Sequence, residues 1–262
     1  MAGSLTPEDL QMNAKWLTVT DHGDGMIELG LNRAPVNAIS AASLMELADV
    51  LGDMAGDNAV RAVVLSSPFK VFSAGVDLKE ALAFTRDDEN TIVEGLNVGF
   101  AALFAFPKPV VVAIKGAAIA GGLFYVLASD FRVAGPRAKF GLAEVRVGVD
   151  FPIGPLEIAR ATLGPNALRR LMLTGQPINA TEAVAMGIVD VIEQDEAVVL
   201  DRALRAARDL ASSPPETYAS VKRQIRQDAL ARIDAAISAG ANAPVGGWFN
   251  AGTKAAMQQM IG

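Results

Sequence analysis

The chain has 262 residues, 51% of them hydrophobic, and could form one large domain or two smaller ones around a sizeable core. Its formal net charge of −6 argues against nucleic acid as the main partner, because phosphate binding needs a positive surface. The absence of cysteine excludes disulfides, thiolate nucleophiles and cysteine-ligated zinc.

The first half of the chain alternates between strand-like and helix-like patterns. β-branched runs predict strands, and a capping box at residues 43–46 precedes an apolar helical stripe. The alternation continues to about Phe140 and is typical of an α/β fold built from repeated crossover units. In chain order it predicts strands at residues 16–20, 26–31, 61–66 and 110–114, and helices near residues 44–51 and 90–106.

Helical patterns replace strand patterns after Pro152. Strand signals vanish from Ser213 onward, and the predicted helices there break at Gly240 and at residues 244–247. We therefore predict an α/β core at residues 1–200 and a helical C-terminal region at residues 201–262. Between Pro152 and Ser213, the sequence predicts short helices at residues 158–163, 167–173 and 180–186 and a longer helix at residues 197–211.

Nothing in the sequence predicts secretion or a membrane span. The N-terminus has no basic segment followed by an apolar core. The most apolar stretch, residues 109–125, contains Lys115, and the uncharged piece after it is shorter than the ~20 residues of a membrane helix. We therefore expect a soluble cytoplasmic protein.

Two turns rich in small residues, at residues 72–78 and 115–122, each follow a β-like apolar run and precede a helical pattern. Small residues let a ligand approach the backbone closely, and the amides at the start of a helix point outward without partners. Two such amides directed at one oxygen would form an oxyanion hole. That arrangement stabilises negative charge on a thioester or ester carbonyl.

Proton transfer in such a site would fall mainly to carboxylates. The single histidine, His22, lies in a predicted hairpin turn and is interpreted as an exposed turn residue. A serine–histidine–carboxylate triad would have to use this histidine, and the sequence has no Gly-x-Ser-x-Gly motif. The sequence also shows no metal-ligand cluster and no nucleotide-binding glycine motif.

An ordered series of motifs, which includes the two turns, resembles the crotonase (enoyl-CoA hydratase/isomerase) superfamily. The similarity extends over nearly the whole chain. It implies a spiral of repeated β-β-α units with a helical C-terminal region, through which members usually form trimers or dimers of trimers. Besides the turns, the matching segments are residues 29–33, 37–40, 129–132, 139–144, 173–176 and 180–189.

The resemblance implies that the substrate is an acyl-CoA thioester. Coenzyme A would be part of the substrate rather than a separate cofactor, and its phosphates need only a local basic patch. Arg33, Lys70 and Lys79 could supply that charge, although each is also an ordinary surface residue. By their places in the motifs, the residues around the nucleotide and the pantetheine arm would be Val36, Ala74, Asp77 and Leu78.

The resemblance also assigns the catalytic roles. The backbone amides of Val76 and Gly121 would hold the thioester oxygen, and Glu144 would move a proton to or from carbon. Apolar neighbours in the sequence should desolvate Glu144, which raises the pKa of a carboxyl group toward neutrality. An ion pair of Glu144 with Arg146 or Arg137 is the competing interpretation.

Phe124 departs from the pattern of the hydratases, which usually have a second glutamate three residues after the oxyanion glycine. Isomerases of the superfamily move one proton with a single glutamate, so isomerisation ranks first. Hydration by Glu144 with Asp150 ranks second, and thioester hydrolysis or carbon–carbon cleavage involving Asp150 ranks third. A non-catalytic acyl-CoA-binding homologue is the contrasting class. Asp150 could instead be the N-cap of a helix that begins near Pro152.

Overall fold

The computed structural model describes residues 14–240 and 246–261. Both elements of the predicted N-terminal hairpin are present, and the strand predicted at residues 110–114 has the same bounds in the structure. The strands are β1 (Leu17–Asp21), β2 (Met26–Leu31), β3 (Ala38–Ile39), β4 (Ala62–Ser66), β5 (Val71–Ser73), β6 (Gly75–Val76), β7 (Val110–Ile114), β8 (Ala117–Ile119), β9 (Phe131–Ala134), β10 (Lys139–Gly141), β11 (Ile178–Asn179) and β12 (Val191–Ile192).

Helices alternate with these strands and then dominate the C-terminal region. Short 3-10 helices at Ala120–Gly122 and Glu196–Val198 lead into the α-helices that follow them. The α-helices are α1 (Ala41–Gly56), α2 (Leu78–Ala81), α3 (Arg86–Ala105), α4 (Leu123–Leu127), α5 (Glu144–Val147), α6 (Ile153–Thr162), α7 (Pro165–Thr174), α8 (Ala180–Ala185), α9 (Val199–Ala211), α10 (Pro215–Ser238) and α11 (Thr253–Ile261).

Successive strand pairs divide between two main sheets. The larger sheet has the order β1-β2-β4-β7-β9-β12, the smaller has the order β11-β10-β8-β5, and β3 pairs with β6. In each of the pairs β4–β5, β7–β8 and β9–β10, the first strand joins the larger sheet and the second joins the smaller. Neighbouring strands are parallel except for β1–β2 and β10–β11. This repetition is the spiral of β-β-α units that the motifs predict.

The larger sheet is buried on both faces because its central strands are apolar at almost every position. In β4, Val63 and Leu65 belong to the main core, whereas Ala62 and Val64 face a second apolar layer. Helix α9 supplies the other side of that layer through small residues such as Ala203. The apolar pattern of the strands therefore places helices on both sides of the sheet.

Two predicted helix caps are wrong, for local reasons. Helix α1 has Ser40 as its N-cap, and Ser40 and Ser43 form the capping box, so the box predicted at residues 43–46 begins one turn too late. Helix α6 has Pro152 as its N-cap, so the predicted capping role of Asp150 is also wrong. Proline fits there because its φ already suits a helix entry and it has no amide hydrogen to satisfy.

A buried ionic cluster attaches the C-terminal region to the sheet. Asp130, just before β9, accepts hydrogen bonds from Lys222 and Arg226 of α10, each at 2.6 Å. Helix α10 also packs against α3 and α6. Helix α9 begins at Val199 and packs on the larger sheet, and the domain boundary predicted at residue 200 stays a prediction.

The break predicted at residues 244–247 lies partly outside the described residues. The N-terminal segment before residue 14 lies wholly outside them. None of the helices in the described ranges has both the length and the apolar character needed to cross a membrane. Residues 246–252 lead into α11, which contacts α5 and α2.

Candidate active site

The two predicted turns meet in the structure. Gly75 has φ +80°, and a methyl group added there would lie only 3.0 Å from the Gly121 nitrogen and from the Ile119 oxygen. Strands β3 and β6 pair Ile39 with Val76, and the Ile39 side chain also reaches the backbone of Gly121. A glycine at position 75 therefore allows the two turns to pack backbone against backbone.

The amide donors predicted from the sequence lie on one cavity. Gly121 is in the first turn of the 3-10 helix Ala120–Gly122, whose leading amides have no partner within the helix. Ala120, directly before it, has φ +49°, which is uncommon for a residue other than glycine. Val76 and Gly121 both line this cavity. Their role as an oxyanion hole stays a prediction, and the arrangement of the turns is compatible with it.

The cavity has a volume of about 180 Å³ and walls that are almost entirely apolar. Among the described residues that line it, Glu144 carries the only carboxyl group. The remaining walls come from the two turns, from α3 to α6, and from the C-terminal segment. They include Leu96, Phe124, Val147, Phe151, Trp248 and Met257.

Glu144 is the first residue of α5 and is buried, with 6% of its surface exposed. Burial raises the pKa of Glu144 to about 8, and a hydrogen bond to its own backbone amide offsets this only in part. Within residues 14–240 and 246–261, its Oε2 atom has no hydrogen-bond partner. The competing interpretation, an ion pair, finds no support there, since Arg137 pairs with Glu196 instead.

Phe124 forms part of the cavity wall, at the position where a hydratase would carry its second glutamate. The ring is 1% exposed and lies 5.6 Å from the ring of Phe100 and 6.4 Å from that of Phe151. This wall is therefore apolar, as its sequence predicts.

Asp150 does not join the cavity. Its side chain is exposed, and its backbone carbonyl accepts a hydrogen bond of 2.8 Å from the Trp248 indole. Gly148, with φ +73°, ends α5 in a left-handed conformation and redirects the chain between Glu144 and Asp150. A catalytic role for Asp150 stays a prediction, and this placement does not favour it.

The residues predicted to hold coenzyme A lie at the cavity rim or beside it. Ala74 and Leu78 line the cavity, and the Ala74 amide donates to the Val36 carbonyl at 3.0 Å. Asp77 caps α2 by accepting hydrogen bonds from two backbone amides of that helix. Arg33 forms an ion pair with Glu80 at 3.2 Å, so the charge it could offer to a phosphate is partly balanced. Binding of coenzyme A by these residues stays a prediction.

None of the site residues predicted from the sequence lies in the C-terminal segment, yet this segment lines the cavity. Trp248 and Met257 are 7% and 2% exposed and line the cavity, and Met260 lines it too. The carboxylate of Glu89 accepts hydrogen bonds from the backbone amides of Trp248 and Phe249, at 3.0 and 3.1 Å. The only signal for this placement is the adjacent aromatic pair at residues 248 and 249.

A larger cavity, of about 630 Å³, shares no lining residue with the one at Glu144. Its positively charged groups, Arg132, Lys222 and Arg226, already donate to Asp130, which also lines it, or to backbone carbonyls at the end of α4. We assign the candidate site to the smaller cavity, because only that one contains both turns and a carboxyl group with a perturbed pKa.

Known proteins share both the sequence pattern and the fold. The family described as enoyl-CoA hydratase/isomerase matches residues 21–243. A probable enoyl-CoA hydratase of Bacillus subtilis (strain 168) is 32% identical over 194 residues, which cover 74% of this chain and 75% of that protein.

Solved structures of the same family have the same fold as this chain. Human mitochondrial delta3-delta2-enoyl-CoA isomerase matches with a TM-score of 0.87 and 27% identity, over 94% of this chain and 96% of that one. The probable enoyl-CoA hydratase EchA3 of Mycobacterium tuberculosis H37Rv matches with a TM-score of 0.78 and 30% identity, over 86% and 95%. The predicted α/β spiral with a helical C-terminal region is confirmed, and the chain belongs to the enoyl-CoA hydratase/isomerase family of enzymes, the crotonase superfamily.

Proposed function

We propose that the protein is an enoyl-CoA isomerase that moves one proton between two carbons of an acyl-CoA thioester. The observation that carries this proposal is a cavity in which Glu144 provides the only carboxyl group among the described lining residues. Phe124 closes the wall where a second acid would be needed to activate water. We further propose that the enzyme needs no cofactor beyond the coenzyme A carried by its substrate.

In this mechanism the thioester oxygen accepts hydrogen bonds from the amides of Val76 and Gly121. The carboxylate of Glu144 removes a proton from C2 of a 3-enoyl thioester, and the electron pair spreads over the dienolate. The same carboxyl group returns the proton to C4, which gives the 2-enoyl thioester. The amides stabilise the negative charge that develops on oxygen, and the apolar walls keep water away from the dienolate.

Hydration is the second candidate, because the relative from Bacillus subtilis is named a probable hydratase. It would require another group to position water, and Asp150 is exposed outside the cavity. Thioester hydrolysis or carbon–carbon cleavage with Asp150 has the same difficulty. Tight binding of acyl-CoA without turnover of any thioester would favour a non-catalytic binding protein instead.

The wild-type enzyme is expected to interconvert 3-enoyl- and 2-enoyl-CoA faster than it hydrates 2-enoyl-CoA. Phe124→Glu should raise hydration relative to isomerisation, because it returns a carboxylate to the cavity wall; the gain should be small without supporting contacts. Phe124→Leu is the matched control, since it keeps the wall apolar. Mass spectrometry of products from both substrates gives the ratio.

Efficient hydration by the wild type, with kcat/KM in the usual enzyme range of roughly 10⁴–10⁸ M⁻¹s⁻¹, would contradict the isomerase proposal. Asp150→Asn would then identify the missing acid by abolishing that hydration. If the variant kept full hydration, the water would have to be activated by Glu144 alone.

We also propose that the protein is a homotrimer or a dimer of trimers. Helix α10 exposes Val221 and Ile225, with 47% and 75% of their surface accessible, and Leu173 of α7 is 70% exposed. Met257 of α11 is buried within the chain itself, so the argument rests on these exposed side chains. Light scattering should give three or six times the chain mass of 27.3 kDa, and a monomer mass at micromolar concentration would contradict the proposal.

A further inference from the structure

We propose that the cavity selects a compact acyl group that consists only of hydrocarbon, with about six carbons in total, and that Trp248 sets this limit. This inference rests on the proposed reaction at Glu144, because the same cavity must hold the thioester end of the substrate. It names the class of acyl group, which the family does not define.

The composition of the walls carries the first part of the inference. Apart from Glu144, all described side chains that line the cavity are apolar. Phe124, Phe151 and Trp248 supply three aromatic surfaces, and the indole nitrogen of Trp248 is already bonded to the Asp150 carbonyl. A hydroxyl, carboxylate or ammonium group on a part of the acyl chain beyond the reach of Glu144 would be buried there without a partner, which costs binding.

The volume carries the second part. An apolar cavity of about 150 Å³ accommodates a benzene ring, which is six carbon atoms. The cavity here measures about 180 Å³, and Val76, Gly121 and Glu144 lie on its walls. The thioester carbonyl and the reacting carbons therefore share this space with the rest of the acyl chain. A chain much longer than six carbons exceeds the available volume.

Trp248 is the wall that cannot easily withdraw. Its indole nitrogen donates to the Asp150 carbonyl at 2.8 Å, and its backbone amide donates to Glu89 at 3.0 Å. The next residue, Phe249, forms a bridge with Val149 and stacks on Phe84 with ring centres 6.2 Å apart. The indole hydrogen bond must break before the ring can rotate away, and the other contacts must break before the segment itself can withdraw.

The neighbouring methionines form a softer wall. Met257 and Met260 also line the cavity, and Met260 is 40% exposed. Unbranched thioether side chains change rotamer readily and adapt to irregular shapes. They can adjust to the last carbon of a chain, whereas the fixed indole defines its maximum length.

The test compares a series of 3-enoyl-CoA substrates with six to twelve carbons. For the wild type, kcat/KM should be highest at six carbons and at least about 10-fold lower at twelve, in line with discrimination by apolar pockets.

Trp248→Leu should raise the twelve-carbon rate relative to the six-carbon rate by a similar factor, and Trp248→Phe should retain most of the original preference. Trp16→Leu is the matched control, because it makes the same change at a tryptophan that does not line the cavity. Equal kcat/KM for both lengths in the wild type would overturn the proposal.

Binding measurements separate this inference from the proposed reaction. Hexanoyl-CoA and dodecanoyl-CoA have no double bond, so their affinities for the wild type do not depend on turnover. Calorimetry should show tighter binding of hexanoyl-CoA, and a six-carbon chain that ends in a carboxylate should bind at least about 10-fold more weakly than hexanoyl-CoA. Tighter binding of dodecanoyl-CoA would overturn the length limit even if isomerisation is confirmed. Length-selective binding without isomerisation would support the limit and exclude only the reaction.

Discussion

Glu144→Gln is expected to lower kcat for the interconversion of 3-enoyl- and 2-enoyl-CoA by roughly 10²–10⁴-fold. Glutamine keeps the size of the side chain but cannot remove and return a proton. Affinity for the thioester should stay nearly intact, because the proposed oxyanion amides and the apolar walls are unchanged. Glu94→Gln, at an exposed glutamate of α3, is the matched control. Wild-type kcat in Glu144→Gln would exclude Glu144 as the acid/base.

The pH dependence of kcat/KM for the wild type is a second test of the role of Glu144. The reaction begins with the carboxylate form, and burial raises the pKa of Glu144 to about 8. We therefore expect kcat/KM to rise about tenfold for each pH unit below that value and to level off above it. A profile that is flat between pH 6 and 9 would contradict this.

Stability should change in the opposite direction to activity. The folded-state pKa of Glu144, about 8, lies above its ordinary value of 4.5, so the folded protein loses stability as the pH rises from 4.5 through 8. Glu144→Gln removes that loss, because glutamine carries no charge to bury. Its Tm should exceed that of the wild type at pH 8 and differ less at pH 5. Lower activity with a higher Tm separates a catalytic effect from a folding defect.

Gly75→Ala is expected to lower kcat by roughly 10²–10³-fold, as the loss of one oxyanion donor does. The added methyl group would lie 3.0 Å from the Gly121 nitrogen, and alanine disfavours the φ of +80° at this position. The turns must move apart by a few tenths of an ångström, which displaces the amides of Val76 and Gly121 from a common oxygen. Steady-state kinetics and circular dichroism would measure the loss and check the fold.

Gly52→Ala is the matched control for this substitution. Gly52 lies on the exposed side of α1, and an added methyl group there has no neighbour within 4 Å. Alanine is the better helix former by about 1 kcal/mol, so this variant should be at least as stable and as active as the wild type. If Gly75→Ala kept wild-type kcat in a folded protein, the packing of the two turns would not control the donors.

The parts of the fold that the sequence predicts are those determined by local signals. A β-branched run bounded by Pro109 and Lys115 predicts strand β7 residue for residue. The two turns around Gly75 and Gly121 are predicted by small residues and by their order along the chain, and the structure brings them together. Glu144 is predicted by its motif, and the desolvation expected for it is present, although the adjacent Val145 is itself exposed and does not supply it.

The parts that could not be predicted depend on distant contacts. Trp248 reaches the cavity because Glu89, 159 residues earlier, holds its backbone amide, and no local pattern encodes such a pair. Asp150 is close to Glu144 in sequence, but the left-handed Gly148 between them turns the chain outward. Closeness along the chain therefore predicts a shared site only where no such turn intervenes.

The contact of Gly75 with Gly121 also bears on how such a site can diverge. Both proposed donors belong to the main chain, so mutation of a cavity side chain leaves them in place. An enzyme with substitutions at Phe124 or Trp248 can accept a different acyl group or convert the enolate to a different product, while its main-chain donors still stabilise the enolate. New reactions can therefore arise on this fold by single substitutions, without an inactive intermediate form of the enzyme.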